Sequence, residues 1–525
     1  MPFRSPHADI AIPDLPVSRF VLRDAERFGE RPAFVDALSG DRISFRELRG
    51  RIRRVSAGLS RRIGKGDVVA IWAPNVPEYA IVFHAVVSLG AILTTINPAY
   101  TTAEVAFQLR DARPTLLVTT AALLDRAREV VEAAAAPIEI ITIDDATGVP
   151  SLASMAIDDE PPAVTIDPAV DVAVMPYSSG TTGLPKGVML THRNLVANLA
   201  QLDAIETSDI PALAGVLPFF HIYGMTVIMN FGIMRGATVV TLTRFELEPF
   251  LRMLQEWRMP IAHVVPPIAI ALAKHPAVDR YDLSSLRCVF SAAAPLGSEV
   301  SEAIERRLGV RVRQGYGMTE ASPATHYCVP GHHRRGKVGP LVPNTECRIV
   351  DPTHGSDAGA GDAGEIWVRG PQVMKGYLNN LEATMATVDA DGWLHTGDIG
   401  RVDDEGFLEV TDRLKELIKV KGYQVAPAEL EGLLLEHPKI ADAAVIGIPD
   451  ADAGERPKAF IVTSEPATEE DVRAFIDARV AHYKRLGAIA FVDSIPKSAS
   501  GKILRRVLAE RERLAVPQRA PLSSV

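Results

Sequence analysis

The chain has 525 residues, of which 47% are hydrophobic, and its 56 basic and 65 acidic residues give a formal net charge of −9. Single cores stop growing at about 250–300 residues, so at least two domains are expected, and the acidic balance argues against a nucleic-acid or anionic-membrane binder. The three cysteines, Cys288, Cys328 and Cys347, are far apart and match neither a disulfide framework nor a C-x-x-C site.

Along the chain, short β-branched runs alternate with helical-period runs. Residues 67–72 read as a buried strand and 77–89 as the following helix, with Pro77 suited to its first turn. Further strands are expected at 91–96, 114–119, 172–177, 187–190, 237–242 and 261–265. This alternation predicts an α/β fold with doubly wound sheets. Two stretches, 79–103 and 210–234, carry no Asp, Glu, Lys or Arg, but Pro, Gly, Asn or His break both, so they read as core helix plus strand. The N-terminus has no apolar run long enough for a signal peptide, and the C-terminal PLSSV is not an S-K-L address. A cytoplasmic protein with no membrane anchor, monomeric or weakly dimeric, is expected.

Residues 351–364 form a turn-rich loop between strands, and 393–412 read as antiparallel with a turn at Asp404-Glu405-Gly406. Beyond them, strands at 443–448 and 459–462 and helices at 427–436 and 469–481 make a compact α+β unit of about 110 residues, an ordinary domain size. The predicted division is 1–411 and 412–525, with a hinge at 412–415.

The segment SSGTTGLPKG, residues 178–187, resembles a damaged P-loop. Counted from Gly180, Lys186 stands in place, but Pro185 replaces the second Gly and Gly187 the Ser or Thr. A P-loop joins a strand to a helix whose N-terminus holds the anion, whereas this loop lies between two expected strands. What remains is a glycine-hinged loop with four hydroxyls and one ammonium, suited to polyphosphate oxygens; a plain solvated hairpin loop is the bland alternative.

Other segments supply context: QGYGMTE (314–320), WLHTGDIG (393–400), DRLKELIKVKGYQVAPAE (412–429) and SASGKILRR (498–506). With SSGTTGLPKG, in this order, they resemble the adenylate-forming superfamily of acyl-CoA synthetases, luciferases and peptide-synthetase adenylation domains. LPFFHIYG (217–224) and AAPLG (293–297) resemble its 4-coumarate–CoA ligase branch. The resemblance spans nearly the whole chain. It implies a large N-terminal domain of stacked sheets plus a distorted β-barrel, followed by a small mobile domain. It also implies two steps: a carboxylate attacks the α-phosphate of ATP to give an acyl-adenylate, and coenzyme A then displaces AMP.

The resemblance also implies residue roles. Ser178, Ser179, Gly180, Thr181, Thr182 and Lys186 cover the β- and γ-phosphates. Tyr316 lies against adenine, Thr319 bonds the α-phosphate, and Asp398 takes the ribose hydroxyls with Arg413 nearby; Ala293, Gln314, Gly315 and Lys415 complete the nucleotide set. Glu320, with Thr182, holds Mg2+, a hard cation that prefers oxygen ligands. Lys502 bridges the substrate carboxylate and the α-phosphate during adenylation. After rotation about the hinge, Lys419 and Gln424 serve the nucleotide or the thioester step, while Lys421, Gly422 and Arg244 meet coenzyme A. His221 orients the acyl carboxylate.

The acyl pocket is implied at His221, Tyr223, Val227, Phe290, Ala293 and Gly317, with Gly315 beside them. Many plant enzymes that this chain resembles carry at the place of Phe290 a Lys that holds the substrate's 4-hydroxyl, which Phe290 cannot do. Ser322-Pro323-Ala324-Thr325 also departs from a bulkier pattern. An apolar, permissive pocket for cinnamate, 4-coumarate or medium-chain fatty acids is expected. An amino-acid adenylation domain is disfavoured because no acidic residue lies among residues 220–223, and a luciferase-like oxygenase because it needs a specialised substrate.

Overall fold

The protein is described by a computed structural model covering residues 2–178, 185–359, 361–421, 423–450, 452–498 and 501–515. Its largest sheet has seven strands. Val172–Ser178, Ile92–Thr95, Val68–Trp72, Leu116–Thr119 and Glu139–Thr142 run parallel through it. Lys186–Thr191 and Gly376–Tyr377 add an antiparallel edge. The parallel strands are near-continuous apolar runs because both faces are covered. The helix Glu78–Ser88 is buried at every position from Tyr79 to Val87, which explains the first charge-free stretch: a helix apolar all round belongs inside a core. Among the described residues no helix is long and apolar enough to cross a membrane.

A four-stranded sheet places Ala212–Gly215, Thr238–Thr241, Pro32–Asp36 and Arg42–Ser44 side by side. Another joins the parallel strands Ile261–Val264, Cys288–Ser291 and Arg311–Gly317 to the antiparallel Ala324–Tyr327. The second charge-free stretch holds a feature that apolar periodicity did not predict: Gly224–Asn230 is π-helical and runs into the α-helix Phe231–Arg235. The Asn230 amide donates to the Met225 carbonyl at 2.9 Å, spanning the wider turn. A Cβ on Gly224 would meet the Pro218 carbonyl oxygen at 2.2 Å, so only glycine lets this helix start so close to the preceding backbone.

Phe3–Arg4, Glu346–Val350, Gly364–Arg369, Leu394–Val402 and Leu408–Arg413 form an antiparallel half-barrel sheet. Gly364–Arg369 alternates buried and half-buried, as a strand covered on one face does.

The remaining sheet belongs to the C-terminal segment: Ile418–Val420, Tyr423–Val425, Ile440–Asp450, Gly454–Thr463 and Ala488–Phe491. It has its own core around Ile418, Leu430, Val445 and Ile461. Its two central strands exceed the expected 443–448 and 459–462 because they form one hairpin, paired from Ile440↔Thr463 to Asp450↔Gly454. The helix Glu469–Asp477 stops short of 481; Arg479 turns back to donate to the Phe475 carbonyl at 2.8 Å and so closes the last turn. Pro427–Glu436 is helical as expected. Among the C-terminal segment's contacts with the rest of the chain are two that fix its place. Lys274 Nζ donates to the carbonyls of Leu435 (3.2 Å) and Ile440 (3.4 Å). Gly501 sits so close to Pro267 that a Cβ there would lie 3.1 Å from Pro267 Cδ.

Candidate active site

Parallel strands present their carboxyl ends to ligands, and a cavity opens where Cys288–Ser291 and Arg311–Gly317 end. It holds about 570 Å3 not filled by atoms, part of it open to solvent. Of the expected residues, His221, Thr319 and Lys502 line it together with Tyr223, Val227, Phe290, Ala293, Gly315, Tyr316 and Gly317. Its shape depends on missing side-chain atoms. A Cβ on Gly315 would come within 3.0 Å of the Phe290 ring, and one on Gly317 within 1.9 Å of the Pro323 carbonyl oxygen. Ala293 adopts the left-handed region at φ 75°, a conformation that a non-glycine residue holds only when its surroundings impose it.

Two groups near the centre have defined states. His221 Nδ1 accepts the Tyr223 backbone N–H at 3.2 Å, which leaves the proton on Nε2. Burial, with the Lys502 charge, lowers the ring to about 3, so it is a neutral N–H donor at physiological pH. Lys502 follows a turn in which its own N–H donates to Ser498 Oγ at 3.1 Å. Burial and the Arg413 guanidinium lower its ammonium from the usual lysine range, against the pull of Asp398, Glu320 and Glu416.

Beside Lys502 lies a polar end. The Tyr316 hydroxyl donates to Asp398 Oδ2 at 2.7 Å, and Arg413 Nε pairs with Asp398 Oδ1 at 3.0 Å. Asp398 and Arg413 face each other across the pair Leu394–Val402 and Leu408–Arg413. Both Asp398 oxygens are thus engaged. Ser178 and Tyr377 both donate to Glu320 Oε1 at 2.9 Å, and Lys186 Nζ lies 4.9 Å over the Tyr377 ring. The strand-to-strand context of residues 178–187 holds: Ser178 pairs with Lys186 across an antiparallel ladder. A Cβ on Gly187 would meet Leu378, Met175 and Tyr177 at 3.2 Å, so any larger residue directly after the lysine would have to push these side chains aside.

The opposite end is aromatic. His263, Phe290 and Arg313 occupy one register row across three parallel strands. Phe290 stacks on Tyr327 with centroids 4.6 Å apart. Behind them Arg313 pairs with Glu206 at 2.9 Å, and the Tyr327 hydroxyl donates to Glu206 at 2.7 Å. Tyr223 Oη lies 3.2 Å from His263 Nδ1. Burial lowers His263 to about 4 and His326 to about 3.

Other expected residues sit elsewhere. Gln314 is buried and holds the neighbouring loop through both Leu296 backbone groups, at 3.2 and 3.3 Å. Arg244 is exposed and pairs with Glu246. Lys415, Lys419 and Lys421 are exposed and do not line the cavity. Ser179, Gly180, Thr181, Thr182, Gly422 and the Gln424 side chain lie outside the described residues.

A family model described as "AMP-binding enzyme" matches residues 21–378, and one described as "AMP-binding enzyme C-terminal domain" matches 429–502. The chain belongs to the AMP-binding enzyme family. The family's curated relatives include 4-coumarate–CoA ligase 1 of Petroselinum crispum, 43% identical over 97% of this chain and 96% of that enzyme. The 4-coumarate–CoA ligase of Vanilla planifolia is 42% identical, covering 97% and 96% of the two chains. Among solved structures, ATP-bound MatB from Rhodopseudomonas palustris superposes with a TM-score of 0.86 at 30% identity, over 95% of this chain and 99% of that one. MatB and this chain share the sheets described above, an adenylate-forming fold.

Sequence reasoning missed Tyr377, the Glu206–Arg313 pair, His263 and His326. Only the tyrosine had a local signal, its place in the segment KGYLNN (375–380).

Proposed function

We propose that the protein is an ATP-dependent, AMP-forming carboxylate–CoA ligase acting on cinnamate- or 4-coumarate-type aryl acids. One observation carries the reading: the Lys502 ammonium lines an otherwise largely apolar and aromatic cavity beside the Tyr316–Asp398–Arg413 cluster. There it can lie between a carboxylate on the apolar side and a nucleotide on the polar side. Adenylation brings an anionic nucleophile to an anionic phosphate, so a fixed ammonium and fixed donors offset the repulsion. Lys502 takes that part, Thr319 bonds the α-phosphate, and the His221 Nε2–H donates to the acyl carboxylate. His221 is not a general base, because its ring stays neutral and a carboxylate needs no deprotonation. Phe290, Tyr223, Val227, Ala293 and Gly317 hold the acyl group; Tyr316, Asp398 and Arg413 hold adenosine; Ser178 and Lys186 lie against the polyphosphate.

Glu320 fits Mg2+. Among the described residues its Oε2 has no hydrogen-bond partner, and no group of three or more His, Cys, Asp or Glu gathers to hold a metal. A single carboxylate suits a cation bound chiefly through phosphate oxygens and water; bound there, Mg2+ would neutralise phosphate charge. Residues 412–525 are taken to move as one unit about 412–415 between the two half-reactions. That motion brings Lys419 and Gln424 to the adenylate, and Lys421 and Gly422, with Arg244, to coenzyme A. The enzyme is taken to be cytoplasmic and a monomer or weak homodimer.

A panel of carboxylic acids, scored by AMP release with and without coenzyme A, tests the reading. Cinnamate and 4-coumarate should lead, with medium-chain fatty acids behind. Preference for an amino acid or a strongly polar acid would overturn it.

A further inference from the structure

Gly376–Tyr377 is a two-residue strand, and it pairs with Lys186–Thr191, the strand that begins at Lys186. Tyr377 is buried, with 7% of its surface exposed. Its backbone N–H is anchored by Thr384 Oγ1 at 2.9 Å. Its ring therefore has a fixed place, and two chemically distinct groups converge on it. The hydroxyl donates to Glu320 Oε1 at 2.9 Å, the oxygen that also accepts from Ser178 at 2.9 Å. The ring face carries the Lys186 ammonium at 4.9 Å, within cation–π range. Two O–H donors on Oε1 turn the carboxylate and leave Oε2 without a hydrogen-bond partner among the described residues. Lys186 and Glu320, of opposite charge, are thereby held on the ring and the hydroxyl of one side chain.

We propose that Tyr377 is a positioning residue for the nucleotide end of the site: its hydroxyl sets the Glu320 carboxylate for a divalent cation, and its ring seats the Lys186 ammonium beside the polyphosphate. The proposal rests on the ligase reading above. It separates the two tasks within one residue, the oxygen serving the cation and the ring serving the phosphates. Tyr377→Phe removes the first and keeps the second; Tyr377→Leu removes both.

Calorimetric titration of the full chain with ATP, once in EDTA and once with Mg2+, tests it. Tyr377→Phe should bind ATP in EDTA within about twofold of the wild type, while the gain in ATP affinity on adding Mg2+ shrinks about tenfold, the weight of a hydrogen bond to a charged group. Ser178→Ala should shrink the same gain. Tyr377→Leu should in addition weaken binding in EDTA about threefold or more. On a Lys186→Met background that further loss should vanish, because the ring then has no cation to seat. An unchanged Mg2+ gain in Tyr377→Phe overturns the proposal, whatever Ser178→Ala shows. So does a Tyr377→Leu loss in EDTA that persists without Lys186. If Tyr377→Leu does not fold, the Tyr377→Phe titration decides alone. Both titrations omit acid and coenzyme A, so failure of acid activation counts against the ligase reading, and unchanged titrations count against Tyr377.

Discussion

The two ends of the cavity are built in opposite ways. At the polar end a charge is presented: Lys502 lines the cavity, and Asp398, Glu320 and Arg413, each steadied by a hydroxyl or an opposite charge, lie close enough to act on it. At the aromatic end, charge is present but walled off. Arg313 and Glu206 pair behind the Phe290–Tyr327 stack and do not line the cavity. The lesson concerns dielectric. An exposed or cavity-facing charge can act on a substrate, whereas a fully paired buried charge acts on its neighbours by fixing where they stand.

The largest break in this contrast should come from Lys502→Ala, which removes the one Lys or Arg among the described residues that line the cavity. Pyrophosphate–ATP exchange should fall about a thousandfold, a loss of the size seen when one transition-state donor is removed. Thioester formation from supplied acyl-adenylate should be largely spared. Equal losses in both half-reactions would place Lys502 in both.

Next in size is Glu206→Gln, which leaves Arg313 buried without its partner and should cost about 3–5 kcal/mol of stability by thermal melting. The KM for cinnamate should rise while the KM for ATP holds. Adding Arg313→Met should restore much of the melting temperature, since removing both charges is far less costly than removing one.

Gly315→Ala should cost about 1–3 kcal/mol through overpacking against Phe290. It should reduce aryl-acid affinity more than that of a short aliphatic acid; equal effects on both would show that Gly315 does not shape the acyl end.

The smallest effect per residue concerns pH. His221, His263 and His326 are held neutral, lowered to about 3, about 4 and about 3. The unfolded rings titrate near 6.5, so below that the unfolded state takes up protons that the folded state does not. The stability they contribute is complete above pH 6.5 and is lost as pH falls toward 4. From pH 7 to pH 6 the loss is about 0.7 kcal/mol for each ring. All three rings stay neutral in the folded protein until the pH nears 4, so mild acid should lower the melting temperature while cinnamate and ATP binding to the folded protein hold.

The same contrast decides what the sequence could reveal. The polar end is made of contiguous segments: 178–187 was legible in its own hydroxyls and ammonium, and 314–320 and 498–506 through the family resemblance that short contiguous motifs allow. The aromatic end is assembled from His221, Phe290 and the adjacent pair His326 and Tyr327, three separate segments, and its supports Glu206 and Arg313 lie 107 residues apart. No local pattern links them, and only the family resemblance singled out Tyr223, Val227 and Phe290. Strand and helix placement was readable along most of the chain because buried parallel strands are unbroken apolar runs. The π-helix at Gly224–Asn230 was not: in a stretch apolar on every side, a widened turn leaves no trace in the periodicity.

The register row of His263, Phe290 and Arg313 has a consequence for anyone redesigning the acid range. Side chains abreast on neighbouring strands share one rung, so a new residue at Phe290 inherits a histidine on one flank and a paired arginine on the other. Mutant libraries that randomise Phe290 alone sample a single member of a three-part set. Varying the rung together, with Glu206 as the fourth member, is the natural unit of choice for moving this cavity from one acid to another.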